Sequence, residues 1–169
     1  LYSYMFGCKK GLIAGIVYGF LQAIQDPWLL HPAQFALDYL VAFMAMALTG
    51  CLRNVSSLKG KMRSQFTLGA IIAGVTRYIS HYFSGVFAFG TFGADYAEEY
   101  GISALANPYF YSFVYQSMYV IPEIVIVIVV GVILLSSANF RKQVLRYGNF
   151  EKTIVSVHTE EIPAAGNAQ

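Results

Sequence analysis

Four ionisable side chains interrupt long apolar stretches of this sequence, and their types and spacing suit recognition of a small organic cation better than bond-breaking chemistry. They are Asp38, Arg77, His81 and Glu123. An ionisable group in hydrocarbon costs about 2.5–3.5 kcal/mol on insertion scales, so such residues mark a functional cavity by default. Arg77 and His81 are four residues apart and share one face of a helix. Tyr111, Tyr115 and Tyr119 repeat at the same interval and build an aromatic face, with Ser112 and Gln116 between them. A carboxylate pairs with the charge or donor groups of an organic cation, and aromatic faces attract cations through their quadrupoles. Bland readings stand beside this one. Asp38 and Arg77 could be a structural ion pair, His81 a satisfied packing histidine, and Glu123 a bond between helices. Part of the aromatic content is the interfacial belt that any membrane protein carries.

Catalysis has little support. There is no H-E-x-x-H zinc motif, no Walker A phosphate loop and no G-x-S-x-G elbow. A triad of His81, Asp38 and Ser84 can be written down, but Ser84 is only three residues from His81 on the same predicted helix. No metal site and no cofactor are expected.

The elements that must position these groups are apolar segments separated by charge. Ten of the eleven Lys and Arg residues fall in three clusters: Lys9 and Lys10; Arg53, Lys59, Lys61 and Arg63; Arg141, Lys142, Arg146 and Lys152. The connections between them, 26–32 and 90–108, carry Asp26, Asp95, Glu98 and Glu99 instead. Cytoplasmic loops keep an excess of Lys and Arg, so all three clusters can lie inside at once. Charged residues make up 12% of the chain, against about 25% in a typical soluble domain. The mean hydropathy of +0.54 agrees. A soluble core could hide one such apolar segment, but not four in succession. A nucleic-acid partner is not expected, because the basic clusters serve as topology signals.

This predicts an all-α polytopic membrane protein, a helical bundle with four complete segments: 11–25, 32–52, 65–89 and 108–138. The first is short, since about 1.5 Å per residue must cover a core of roughly 30 Å. Pro32 suits a first helical position, and Pro122 predicts a bend in the last segment. Gly11, Gly15 and Gly19 form a smooth stripe of the kind that packs membrane helices closely. With this orientation Asp38, Arg77, His81 and the tyrosines all fall in the outer half, which argues for a site open to the exterior rather than a continuous pore. Residues 1–138 read as the membrane-embedded domain, and 139–169 as a cytoplasmic tail, disordered toward its end. Leu1–Phe6 reads as the end of an apolar segment, so an N-terminally truncated fragment is expected. Cys8 and Cys51 both fall beside basic clusters, where the cytoplasm keeps thiols reduced, so no structural disulfide is expected.

The stretches GLIAGIVYGFLQ at 11–22, HPAQFALDYLVAF at 31–43, RYISHYFSGVFAF at 77–89 and YSFVYQSMYVIPE at 111–123 carry a resemblance. Over roughly residues 5–138 the chain resembles the thiamine-binding membrane subunits of energy-coupling-factor (ECF) transporters, the ThiT or YuaJ family. The resemblance implies a six-helix fold, of which this chain would hold about four complete transmembrane helices plus the end of another. It implies a high-affinity thiamine receptor of the bacterial plasma membrane, multi-pass and not itself an enzyme. A coupling transmembrane subunit and two ATPase subunits would be its partners, and membrane lipid its surroundings. Carried over residue by residue, Asp38 stands for the acidic residue that bonds the aminopyrimidine, followed by Tyr39. Arg77 takes the place of a basic residue and His81 that of the pocket histidine. Trp28 and Phe89 fall at ring-stacking positions, and Tyr111 and Gln116 where the family has Tyr and Asn. Tyr115 and Glu123 join the candidate set from their position on the same helix.

Some departures bear on ligand fit. Asp38 is one methylene shorter than the Glu of some members, Gln116 replaces the usual Asn, and Ser117-Met118 replaces Gly-Ser. Two rival functions keep the same residues in play: an ECF binding subunit for another vitamin, and a stand-alone secondary transporter. The second would need broken helices and internal repeats, and the sequence has neither.

Overall fold

A computed structural model describes residues 1–25, 30–54, 58, 60–90 and 92–148. Among these the chain forms seven helices and no strand: α1 (Tyr2–Phe6), α2 (Cys8–Gln25), α3 (Pro32–Cys51), α4 (Met62–Ser84), α5 (Phe92–Tyr100), α6 (Pro108–Ser136) and α7 (Ala138–Tyr147). Two of them are long and apolar enough to cross a membrane, α3 with a mean hydropathy of 1.4 and α6 with 2.8. The sequence led us to expect four such segments. The other two, α2 and α4, form as helices of 18 and 23 residues but carry more polar groups. Lys9 and Lys10 open α2, while α4 bears Arg63, Gln65, Arg77 and His81.

The membrane setting follows from where apolar surface lies. The most apolar helix, α6, buries only 17% of its central window. Val125, Ile126, Val129 and Ile133 all stand half or more exposed on it, and α2 likewise exposes Ile13, Leu21 and Ile24. Water would not tolerate so broad an apolar face on a folded protein. This is an all-α membrane protein.

Both apolar helices start with the same device. Pro32 and Pro108 occupy first-turn positions, and the preceding side chain caps. His31 Nδ1 accepts from Ala33 N–H at 3.1 Å, and Asn107 Oδ1 accepts from Tyr109 N–H at 2.9 Å. Proline loses nothing there, because the first N–H groups of a helix have no intrahelical partner. Inside α6, Pro122 does not interrupt the helix, which runs continuously from Pro108 to Ser136.

The end of the bundle that carries α1 and α7 holds a packed core of Tyr4, Phe66, Ala70, Leu135 and Val144. Tyr4 stands edge-on to Phe66 at 5.7 Å and donates its hydroxyl to Gln65 Oε1 at 3.0 Å. Val144 belongs to α7, so the stretch that follows the predicted membrane domain begins as a helix. The segment to Tyr147 is an amphipathic helix with its apolar side docked on the core. Arg141 Nη1 donates to the carbonyls of Leu135 and Ser136, groups that the end of α6 leaves unpaired. Residues 149–169, expected to be disordered toward the end, lie outside the described residues. The connection 90–108 is also more ordered than expected, since α5 and a 3₁₀ turn (Ser103–Ala106) occupy most of it.

The expectation of no structural disulfide is corrected. Cys8 and Cys51 are joined in a disulfide, with Cα atoms 4.8 Å apart. The compartment argument spoke to the redox state of thiols and not to their distance. The distance is set by Gly7, whose φ of 93° breaks α1 from α2, and by Gly50. A side chain at Gly50 would meet the backbone of Ser3, Gly7 and Cys8. Bare backbone at both positions brings the two sulfurs together.

The glycine stripe lets α2 pack closely, as its spacing implied, with Gly11 against Ser3 of α1 and the other two against α3. Gly15 faces the backbone of Phe43 and Met44, and Gly19 faces the carbonyl oxygen of Tyr39. A Cβ at Gly19 would overlap that oxygen, so α2 could not approach α3 as it does. Gly19→Leu is therefore expected to destabilise the protein by about 1–3 kcal/mol, the usual cost of overpacking. Ile13→Ala, on the exposed face of the same helix, should have a much smaller effect. Thermal unfolding of both variants in one detergent checks this, and equal melting temperatures would contradict the close approach of α2 and α3.

Candidate functional site

At the end of the bundle opposite the core, α2, α3, α4, α5 and α6 surround a cavity of about 500 Å³. Seven of the ten residues singled out from the sequence line it: Asp38, Tyr39, Arg77, His81, Tyr111, Tyr115 and Gln116. Glu123 does not. It lies one level deeper, on the wall of a smaller apolar cavity of about 300 Å³, and reaches the outer site through Arg77. Trp28 lies outside the described residues, as does the side chain of Phe89.

Local backbone irregularities deliver the polar groups. Within α3, residues Ala36–Val41 form a π turn that contains Asp38 and Tyr39. At the end of α4 a second π turn, Gly85–Phe89, follows His81 by one helical turn. Such turns break the regular backbone ladder and occur often at functional sites. Each is clamped by a serine from a neighbouring helix. Ser80 donates to the carbonyl of Leu37 at 2.7 Å, and Ser112 donates to the carbonyl of Tyr82 at 2.7 Å. Gly85 permits the second clamp, since a Cβ there would overlap Ser112 Oγ.

The charged groups form one continuous relay across three helices. Gln34 Nε2 donates to Asp38 Oδ2 at 2.9 Å, and His81 Nδ1 lies 2.8 Å from Asp38 Oδ1. Arg77 Nε donates to His81 Nε2 at 3.2 Å, and Arg77 Nη1 pairs with Glu123 Oε1. Arg77 also stacks over the Phe43 ring, 5.1 Å from its centroid. Asp38 and Arg77 therefore do not make the direct ion pair that the sequence left open. The hydrogen bonds assign the histidine tautomer: Nε2 accepts from Arg77, so the ring proton sits on Nδ1 and points at Asp38. With that tautomer the imidazole is neutral. Arg77 compensates Glu123, and Asp38 keeps an uncompensated negative charge at the cavity wall.

Aromatic rings make the facing wall. Ring centroids step from Tyr96 to Tyr111 (5.6 Å), Tyr115 (5.8 Å), Tyr119 (5.7 Å) and then His81 (5.9 Å). The i,i+4 tyrosines were legible in the sequence. Tyr96 and Phe92 were not, because they enter from α5, in a stretch read as a connection. Gln22 from α2 and Phe43 from α3 were also missed, with no local signal to mark them. Gln116 Oε1 is buried and has no hydrogen-bond partner among the described residues, although its side chain lines the cavity. A buried polar atom is normally paired, and this oxygen has no partner among the described residues. The arrangement can hold a cation with a ring system, since the cavity combines the Asp38 carboxylate with a row of aromatic rings.

Residues 1–142 match the family described as thiamine transporter protein (Thia_YuaJ). The chain is also 32% identical over 146 residues to the thiamine transporter ThiT of Bacillus subtilis (strain 168), a match that covers 82% of this chain and 71% of that protein. No solved structure matches the chain. A family match from the first residue through the start of α7, together with this relative, places the protein: the chain belongs to the thiamine transporter family.

Proposed function

We propose that this protein is the thiamine-binding subunit of an ECF-type vitamin uptake transporter. It captures thiamine at the outer face of a bacterial plasma membrane, which it crosses several times, with its basic loops inside. The observation that carries this reading is the uncompensated charge of Asp38 opposite the tyrosine wall. Thiamine is a cation with two flat heterocycles, one bearing an amino group. A carboxylate accepts from such an amino group in a charge-assisted bond, the aromatic wall receives the rings, and cation–π attraction favours the thiazolium. His81 and Arg77 hold the carboxylate side of the cavity. Tyr39, Tyr111, Tyr115 and Gln116 supply contacts, and Trp28 and Phe89 are assigned stacking roles from the family resemblance. Glu123 acts behind the site by neutralising Arg77.

The protein binds and performs no chemistry in this reading. Energy comes from two ATPase subunits through a coupling membrane subunit, since the chain has no phosphate-binding loop of its own. Purified full-length protein is expected to bind thiamine and not riboflavin, read by quenching of Trp28, the only tryptophan in the sequence. Asp38→Asn keeps the size of the side chain but removes its charge. It should weaken binding by about 1.5–3 kcal/mol, the range for hydrogen bonds to charged groups, or roughly ten- to 150-fold in Kd. Equal affinity for riboflavin, or unchanged affinity in Asp38→Asn, would refute the assignment.

The division of labour has its own test. Cells that make this subunit alone, with all ECF coupling and ATPase components deleted, are expected to retain thiamine at the surface without accumulating it. Concentrative uptake by such cells would identify a stand-alone transporter instead.

A further inference from the structure

We propose that Gln34 is a positioning residue for the ligand-binding carboxylate, one that fixes Asp38 and ties it to the backbone at the outer start of α3. This rests on the thiamine-binding reading and adds to it a residue that neither the sequence nor the family resemblance singled out.

Gln34 is buried, at 2% exposure, and it is not among the residues that line the cavity. Any effect it has on a ligand must pass through a neighbour. Its side chain is held at both ends. Oε1 accepts from Leu30 N–H at 3.3 Å, and Nε2 donates to Asp38 Oδ2 at 2.9 Å. The two bonds fix the sense of the amide. Flipped, its oxygen would face a carboxylate and its NH₂ would face a backbone N–H, and both contacts would be repulsive.

The consequence falls on Asp38. His81 approaches one carboxylate oxygen and Gln34 the other. Rotation of the carboxylate about its last torsion would break both contacts, so the group is held in one plane. An ionised carboxylate offers about four acceptor sites. With one site on each oxygen occupied, the remaining lone pairs are held in a defined direction before a ligand arrives. Preorganisation of this kind raises affinity by lowering the ordering cost of binding. The Leu30 contact extends the chain of bonds to the connection that enters α3, so the position of that backbone and the orientation of the carboxylate are linked.

The test uses purified full-length protein, thiamine as the probe, and a double-mutant cycle. Gln34→Met keeps the buried volume and removes the donor. Its thiamine Kd is expected to rise about ten-fold, in keeping with loss of a hydrogen bond to a charged group. In an Asp38→Asn background the same substitution should change Kd less than about two-fold, because the carboxylate it positions is gone. A merely structural role would give the same penalty in both backgrounds, and that result, or no penalty in either, would overturn the proposal. Should Gln34→Met fail to fold, Gln34→Glu supplies the second arm. It retains the shape but faces Asp38 with a second carboxylate, beside His81 and with Arg77 and Glu123 behind. Its affinity relative to wild type should be lowest at pH 8 and recover toward pH 5.5, where a protonated Glu can donate to Asp38. A pH-independent ratio overturns the proposal. The two readings fail separately: wild type that does not bind thiamine removes the function and this assignment with it. Binding that is sensitive to Asp38→Asn but indifferent to Gln34 removes only the assignment.

Discussion

Charges placed inside an apolar bundle must be satisfied by the protein itself, because hydrocarbon offers no hydrogen bonds. In this protein that constraint fixes how α3, α4 and α6 meet. Asp38, His81, Arg77 and Glu123 come from three helices and satisfy one another in a single line, with Gln34 at its end. No member can be withdrawn without stranding a neighbour. The line also has a direction. Arg77 compensates the Glu123 carboxylate and leaves Asp38 at the wall of the cavity, so the polar groups gather at one end of the bundle.

The two ends of the bundle are built on opposite packing rules. At one end, Tyr4, Phe66, Leu135 and Val144 are almost wholly buried against one another and their neighbours, and Arg141 of α7 caps carbonyls at the end of α6. At the other end, aromatic rings line a cavity and do not fill it. Glycines join the two regimes: Gly15 and Gly19 let α2 lie against the backbone of α3, close to the π turn that carries Asp38. The packed core and the cavity thus lie at opposite ends of the same helices, and both π turns lie toward the cavity end.

Membership in the thiamine transporter family and the geometry of the cavity are independent lines that converge. The family is one of thiamine transporters, and its match spans every described residue that lines the cavity. Asp38 and the row of tyrosines give that cavity both an acidic group and flat aromatic surface. Gln116 adds a buried side-chain oxygen with no hydrogen-bond partner among the described residues.

The sequence by itself determined the class of protein, and most of the site residues it named line the cavity. Charge clusters and apolar lengths are one-dimensional quantities, and so are i,i+4 intervals. For that reason the all-α membrane fold, the glycine stripe, and the shared faces of Arg77 with His81 and of Tyr111 with Tyr115 and Tyr119 were legible. Pairing was not, because it depends on distances between segments. Arg77 was free to meet either carboxylate until the fold placed Glu123 beside it and Asp38 beside His81. Cys8 and Cys51 looked like separate thiols until two glycines brought their backbones together. Tyr96 and Val144 sat in stretches with too few apolar residues to read as helix, and tertiary contact gave both their roles. The π turns were invisible as well, because a one-residue insertion in a helix leaves no compositional mark. Each such turn has a serine of another helix bonded in or beside it, and only the tertiary structure says which helix that is.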